Sequence, residues 1–145
     1  MVLLRMLADQ SPYTSVLEKI KEKCNKIMFS TSIDREWGTK AYVEGMSVLT
    51  LIRKLEELKQ IEKLKKCNKT SIDKARKLVR SKKCRKPTDR HDLKFVEAAI
   101  AEKAILITRD FALLDLNPYK CGKVYLKIMS PEDYLARANL ETKSF

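Results

Sequence analysis

The chain has 145 residues, with 31 Lys and Arg against 19 Asp and Glu, one His and a formal net charge of +12. That length suits one domain spanning 1–145, a 44% hydrophobic fraction can build a core, and 3 Gly with 4 Pro exclude collagen-like or linker-like chains and disfavour a turn-rich all-β fold. No apolar run approaches the roughly 20 residues that span a bilayer, and Val2-Leu3-Leu4, broken by Arg5, is too short for a signal peptide, so a cytoplasmic protein without membrane attachment is expected.

In chain order, Ser15 to Lys26 places Val16, Leu17, Ile20 and Cys24 at helical spacing, after a Ser11-Pro12 start signal. Lys26 to Ser30 is an apolar run of strand length. Helix resumes near Ser32, with Glu36 placed for an N-capping arrangement. Thr39 to Lys66 carries Tyr42, Met46, Leu49, Ile52, Leu55, Leu58, Ile61 and Leu64 every three or four residues. This predicts one long helix, or two joined near Gln60. Thr70 or Ser71 caps a short basic helix with Ile72, Ala75, Leu78 and Val79. Ser81 to Pro87 is a basic loop, and Asp89 to Lys103 is a helix with Phe95, Val96, Ala99 and Ile100 on one face. Ala104 to Ile107 is fully apolar, the pattern of a strand buried on both sides of a parallel sheet. Lys123 to Met129 is a further strand, and Ser130-Pro131-Glu132-Asp133 opens a last helix with cap, first-position Pro and first-turn acids. Alternating helices and strands predict an α/β layer fold with a parallel sheet, whose sites form beyond the carboxyl ends of the strands.

The charge is local. Residues 53–90 hold 16 basic and 5 acidic side chains, whereas the segments before and after are nearly neutral. A block of this kind points to an anionic partner, nucleic acid first, with Lys82, Lys83, Arg85, Lys86 and Arg90 as contacts. The plainer reading is a lysine-rich solvated helical face. Cysteines 24, 67, 84 and 121 form no C-x-x-C pair and the lone His91 does not complete a zinc set. Four reduced thiols are expected, with a Cys67–Cys84 bridge as the alternative in a hyperthermophile.

Three acidic groups follow or precede the expected strands: Glu36 after the first, Asp92 at the start of the helix before Ala104, and Asp110 after Thr108-Arg109. Singly, each has an ordinary role: a solvated helix acid, a helix-start charge, a turn residue. Asp89 reads first as an N-cap, His91 as structural and Trp37 as core. Together, carboxylates from separate segments repel one another unless a cation lies between them, and hard oxygen donors suit Mg2+ or Mn2+. An acidic metal site beside a basic segment is a phosphodiesterase layout.

The run Asp92-Leu93-Lys94-Phe95-Val96-Glu97-Ala98-Ala99-Ile100, then Ile105-Leu106-Ile107-Thr108-Arg109-Asp110, resembles the PIN-domain family, which includes VapC-type toxins. Phe29-Ser30 with Glu36 is similar to the family's second strand and the acid on its next helix, and Ile128 to Leu135 to its last strand and Ser-Pro-Glu helix. The resemblance implies a three-layer α/β/α sandwich and a Mg2+- or Mn2+-dependent endoribonuclease. It implies Glu36, Asp92 and Asp110 as catalytic and metal-binding acids, with Thr108 and Asp89 in supporting positions. RNA is the implied substrate, and an antitoxin protein and a second copy of the chain are implied partners. One departure stands out. Val2 to Leu7 is similar to the family's first helix, but only Met1 precedes it, so the central first strand and its Asp are missing, and Asp9 lies too far along to replace them. Two readings follow: an N-terminally shortened nuclease, or a catalytically inactive module that binds nucleic acid or protein.

Overall fold

A computed structural model describes residues 2–8, 13–23, 25–81, 84–86 and 92–143. The chain is a mixed α/β fold, mainly helical, with short strands. In order run α1 (Val2–Leu7), α2 (Tyr13–Glu22), β1 (Ile27–Phe29), α3 (Thr31–Lys40), a 3-10 turn (Ala41–Glu44), α4 (Val48–Gln60), β2 (Leu64–Lys66) and α5 (Lys69–Ser81). Then come α6 (Leu93–Glu102), β3 (Leu106–Ile107), α7 (Phe111–Leu114), β4 (Tyr119–Cys121), β5 (Val124–Leu126), β6 (Ile128–Met129) and α8 (Pro131–Lys143). No described helix is long and apolar enough to cross a membrane.

In place of the one parallel sheet expected from the sequence, the described residues form two separate two-stranded parallel half-sheets. β1 pairs with β2 in parallel, Ile27 opposite Leu64, and β3 pairs with β6 in parallel, Leu106 opposite Ile128. β4 and β5 form an antiparallel hairpin. Among the described residues no strand bridges β1 and β3; a cavity of about 400 Å3 lies between them.

Several boundaries differ from the sequence reading for local reasons. Ser30, not Ser32, caps α3: its hydroxyl accepts from the Ile33 N–H. The stretch 39–66 is neither one helix nor two. Gly45, at φ +72, ends the 3-10 turn in the left-handed region that glycine enters at least cost, and Ser47 caps α4 by accepting from Thr50 N. After α4, Glu62 turns the chain at φ +59 and Leu64–Lys66 becomes β2, because pairing with β1 overrides the helical spacing. Asn68, not Thr70 or Ser71, starts α5, its side chain accepting from Ser71 N. Lys123 to Met129 splits into β5 and β6, and the hairpin strand β4 comes after the cis Asn117–Pro118 bond. Ile105 stands 36% exposed instead of doubly buried, since among the described residues β3 is paired on one side only. Ser130 caps α8, accepting from Asp133 N, as its sequence suggested.

The larger core gathers Leu4, Met6, Val16, Ile33, Trp37, Leu51, Leu55 and Leu58 from the first four helices, and Trp37 sits 5.7 Å from the Phe29 ring. A second cluster joins Val96 and Ala99 of α6 to Leu113, Leu116, Tyr119, Leu126 and Ile128. Cys84 and Cys121 form a disulfide, and Cys67 is buried and reduced. Both cysteine expectations are thus corrected: Cys84 bridges to Cys121 rather than to Cys67, because the hairpin, invisible in the sequence reading, carries Cys121 to the segment that follows α5.

Candidate functional site: an acidic cleft at the strand ends

Glu36 projects from the second turn of α3, Asp92 stands at the N-cap position of α6, and Thr108 and Asp110 follow β3. All four line one cleft of about 250 Å3, with Val2, Arg5, Phe95, Ile107, Arg109 and Leu113 among its other walls. The cleft therefore lies at the carboxyl end of β3, where α/β folds place their sites. Glu36 Oε2 and Asp92 Oδ2 are closed off from solvent, whereas Asp110 is exposed.

Hydrogen bonds hold the Asp110 turn. Asp110 N donates to Thr108 Oγ1 at 3.1 Å, and Asp110 Oδ1 accepts from Ala112 N at 2.9 Å, capping α7. Glu36 is ion-paired with Lys94, two residues past Asp92. Arg5 donates to Tyr13 Oη at 2.8 Å and pairs with Glu44 at 3.4 Å, and both contacts raise its pKa against the lowering effect of burial. Arg109 lies over the Tyr13 ring and pairs with Glu132. Desolvation is the largest single effect on Arg109 and lowers its pKa, but the Glu132 and Tyr13 contacts together outweigh it and the net shift is upward. Glu132 is held below the usual carboxylate range by its own backbone N–H and then by Arg109.

The cleft thus mixes three acids with two cations, Arg5 and Arg109, and a third cation, Lys94, engages Glu36. The cations Arg5, Lys94 and Arg109 were not singled out from sequence, although Lys94 and Arg109 sit inside the motifs that carry Asp92 and Asp110. Carboxylate oxygens are the right kind of donor for a hard divalent ion. Their arrangement does not fit one as it stands: among the described residues no three Asp, Glu, His or Cys side chains are grouped closely enough to hold a metal, and Glu36 is engaged by Lys94.

Asp89, Arg90, His91, Lys82 and Lys83 lie outside the described residues, as do Asp9 and Cys24. Arg85 and Lys86 are exposed, and Arg85 Nη2 reaches the Asp115 carbonyl at 3.5 Å. Lys69, Lys74, Lys77 and Arg80 are exposed on α5, which packs against α6, while Arg76 pairs with the buried Glu97 at 2.9 Å. Trp37 is core, 6% exposed. No protein-family model matches this chain, and no curated protein matches it.

Proposed function

We propose that the protein is a Mg2+- or Mn2+-dependent endoribonuclease of PIN-domain type, acting on RNA phosphodiesters at the acidic cleft. The observation that carries this reading is that Glu36, Asp92 and Asp110, from three separate elements, line one cleft together with Thr108. Glu36, Asp92 and Asp110 would hold the ion once Lys94 releases Glu36; when bound, the ion supplies an activated water and charge stabilisation at the leaving oxygen. The chain's own groups do the rest. Arg5 and Arg109 bring positive charge to the cleft wall where a phosphate would lie. Phe111, 80% exposed next to Asp110, offers a face for base stacking. The exposed cations of α5 would attract the RNA backbone. A three-layer sandwich fits this reading once the two parallel half-sheets are counted as one layer.

Incubating the protein with end-labelled single-stranded RNA and Mn2+ tests it. Cleavage that depends on Mn2+, and falls at least 100-fold in both Asp92→Asn and Asp110→Asn, is the expected result; cleavage unchanged in both removes those residues from the site. Phe111→Ala should weaken RNA binding by about 1–2 kcal/mol if bases stack there.

A second reading is a catalytically inactive RNA-binding module that uses the 53–90 block. The ungrouped carboxylates favour it. Binding would then be metal-independent and steeply salt-dependent, and weakened by charge reversal at Arg85 and Lys86.

A further inference from the structure

Tyr13 opens α2, is 5% exposed and is not part of the acidic cleft's wall. It touches the two arginines that are. Arg5, from α1, has its guanidinium carbon 5.5 Å from the centre of the Tyr13 ring, and its Nη1 donates to the Tyr13 hydroxyl at 2.8 Å. Arg109, between β3 and α7, has its guanidinium carbon 5.1 Å from the same ring centre. The negative face of an aromatic ring attracts a guanidinium. Two of them at one ring repel each other, and each is offset by a carboxylate: Arg5 by Glu44 at 3.4 Å, Arg109 by Glu132. Neither Glu44 nor Glu132 lines the cleft. One ring and two acids outside the cleft wall therefore hold both of its arginines.

These bonds take Nε and Nη1 of Arg5 and Nη2 of Arg109. A guanidinium carries five N–H donors, so each arginine keeps donors for an anion. Both side chains are partly exposed. An arginine already seated on a ring loses less rotamer freedom when it binds than one that swings in water. Asp92 and Asp110 repel a phosphate, which leaves the arginine wall as its place in the cleft.

We propose that Tyr13 is a positioning residue, and that it sets Arg5 and Arg109 as a two-armed subsite for one backbone phosphate of single-stranded RNA. The subsite rests on the reading of the cleft as an RNA site, and on neither a bound metal ion nor cleavage.

Fluorescence anisotropy with a short labelled single-stranded RNA in EDTA tests it. Tyr13→Leu should weaken binding about fivefold and make the slope of log affinity against log salt shallower by about 0.7, the loss of one phosphate contact on a single strand. The Arg5→Met, Arg109→Met double variant should lose as much. Adding Tyr13→Leu to it should cost nothing more, because a residue that acts through others is not additive with them. Tyr13→Phe keeps the buried ring and removes only the hydroxyl that accepts from Arg5. It should lose about twofold, and that loss should vanish in an Arg5→Met background. Tyr13→Phe decides alone if Tyr13→Leu does not fold. Binding unchanged in the Tyr13 variants overturns the proposal. So does a Tyr13→Leu loss that adds in full to that of the arginine pair, or one that leaves the salt slope unaltered, since either marks a merely structural role. EDTA keeps cleavage out of the measurement. A native chain that binds no RNA therefore overturns the RNA reading itself, whereas RNA bound equally by the native chain and the Tyr13 variants overturns the subsite alone.

Discussion

The two half-sheets sit in differently built surroundings. Around β1 and β2, nineteen described buried residues from α1, α2, α3, α4 and their neighbours form one continuous core with Trp37 inside it. Around β3 and β6, the second cluster has eight, drawn from short elements, and it is tied to the end of α5 by Cys84–Cys121. The helical half rests on side-chain burial, which needs long amphipathic faces; the strand-and-hairpin half has few such faces and adds a covalent link. α6 belongs to both, with Ala98 in the first core and Val96 and Ala99 in the second. The acidic cleft is assembled across this division: Glu36 from the first half, Asp110 from the second and Asp92 from the helix between them. The site's geometry therefore depends on how the two halves are held together.

The sharpest way to break the first half is Trp37→Ala. Removing this buried ring should cost about 3–5 kcal/mol in urea denaturation. A loss below ~1 kcal/mol would mean that the first core does not carry that half. Next in size, replacing both Cys84 and Cys121 by Ser opens a link across 37 residues. The chain-entropy account gives about 4 kcal/mol for such a loop, or a melting temperature lower by roughly 10 °C. Hydrogen exchange should speed up first in β4 and β5 and leave α4 unchanged; uniform acceleration would contradict two separately built halves.

A smaller effect probes the seam. Arg76→Ala leaves the buried Glu97 carboxylate of α6 without its partner from α5. Because Arg76 is itself partly exposed, the expected cost is only about 1–2 kcal/mol. Smallest of all is Cys67 in the first core. Burial pushes its thiol up to about 11, above the ordinary 9. Its folded-state value is raised, so its contribution to stability is whole below pH ~9 and is lost as pH rises toward 11. At pH 8, iodoacetamide should modify Cys67 only after unfolding; rapid labelling of the native protein would contradict its burial.

Much of the framework is legible from residues alone, for reasons that the exceptions make plain. Ser130-Pro131-Glu132-Asp133 announces α8 because cap, Pro and acids act locally. Trp37 reads as core because a large apolar ring is seldom left in water. Glu36, Asp92 and Asp110 were placed by strand-end logic, which depends on chain order and not on distance. What escaped depends on pairing. Leu64–Lys66 keeps helical spacing yet becomes β2, since β1 offers it a partner. β4 escaped because Tyr119-Lys120-Cys121 is three residues long, and with it went the true partner of Cys84. The cleft's cations escaped because charge counting finds the 53–90 block but not a lysine that reaches across to a carboxylate on another helix.

Lys94 offers a further test of the cleft. Lys94→Met removes the cation that now pairs with Glu36. If ion and ammonium compete for that carboxylate, Mn2+ affinity should rise about tenfold, equivalent to ~1.4 kcal/mol. An unchanged affinity would place the ion elsewhere.

The most direct measurement is Mn2+ titration followed by paramagnetic broadening of backbone amide signals. The account predicts saturable broadening centred on Thr108, Asp110 and Phe95, abolished in the Glu36→Gln, Asp92→Asn, Asp110→Asn triple variant while the protein stays folded. Broadening centred away from these residues, or persisting in the triple variant, would contradict a metal site in the acidic cleft.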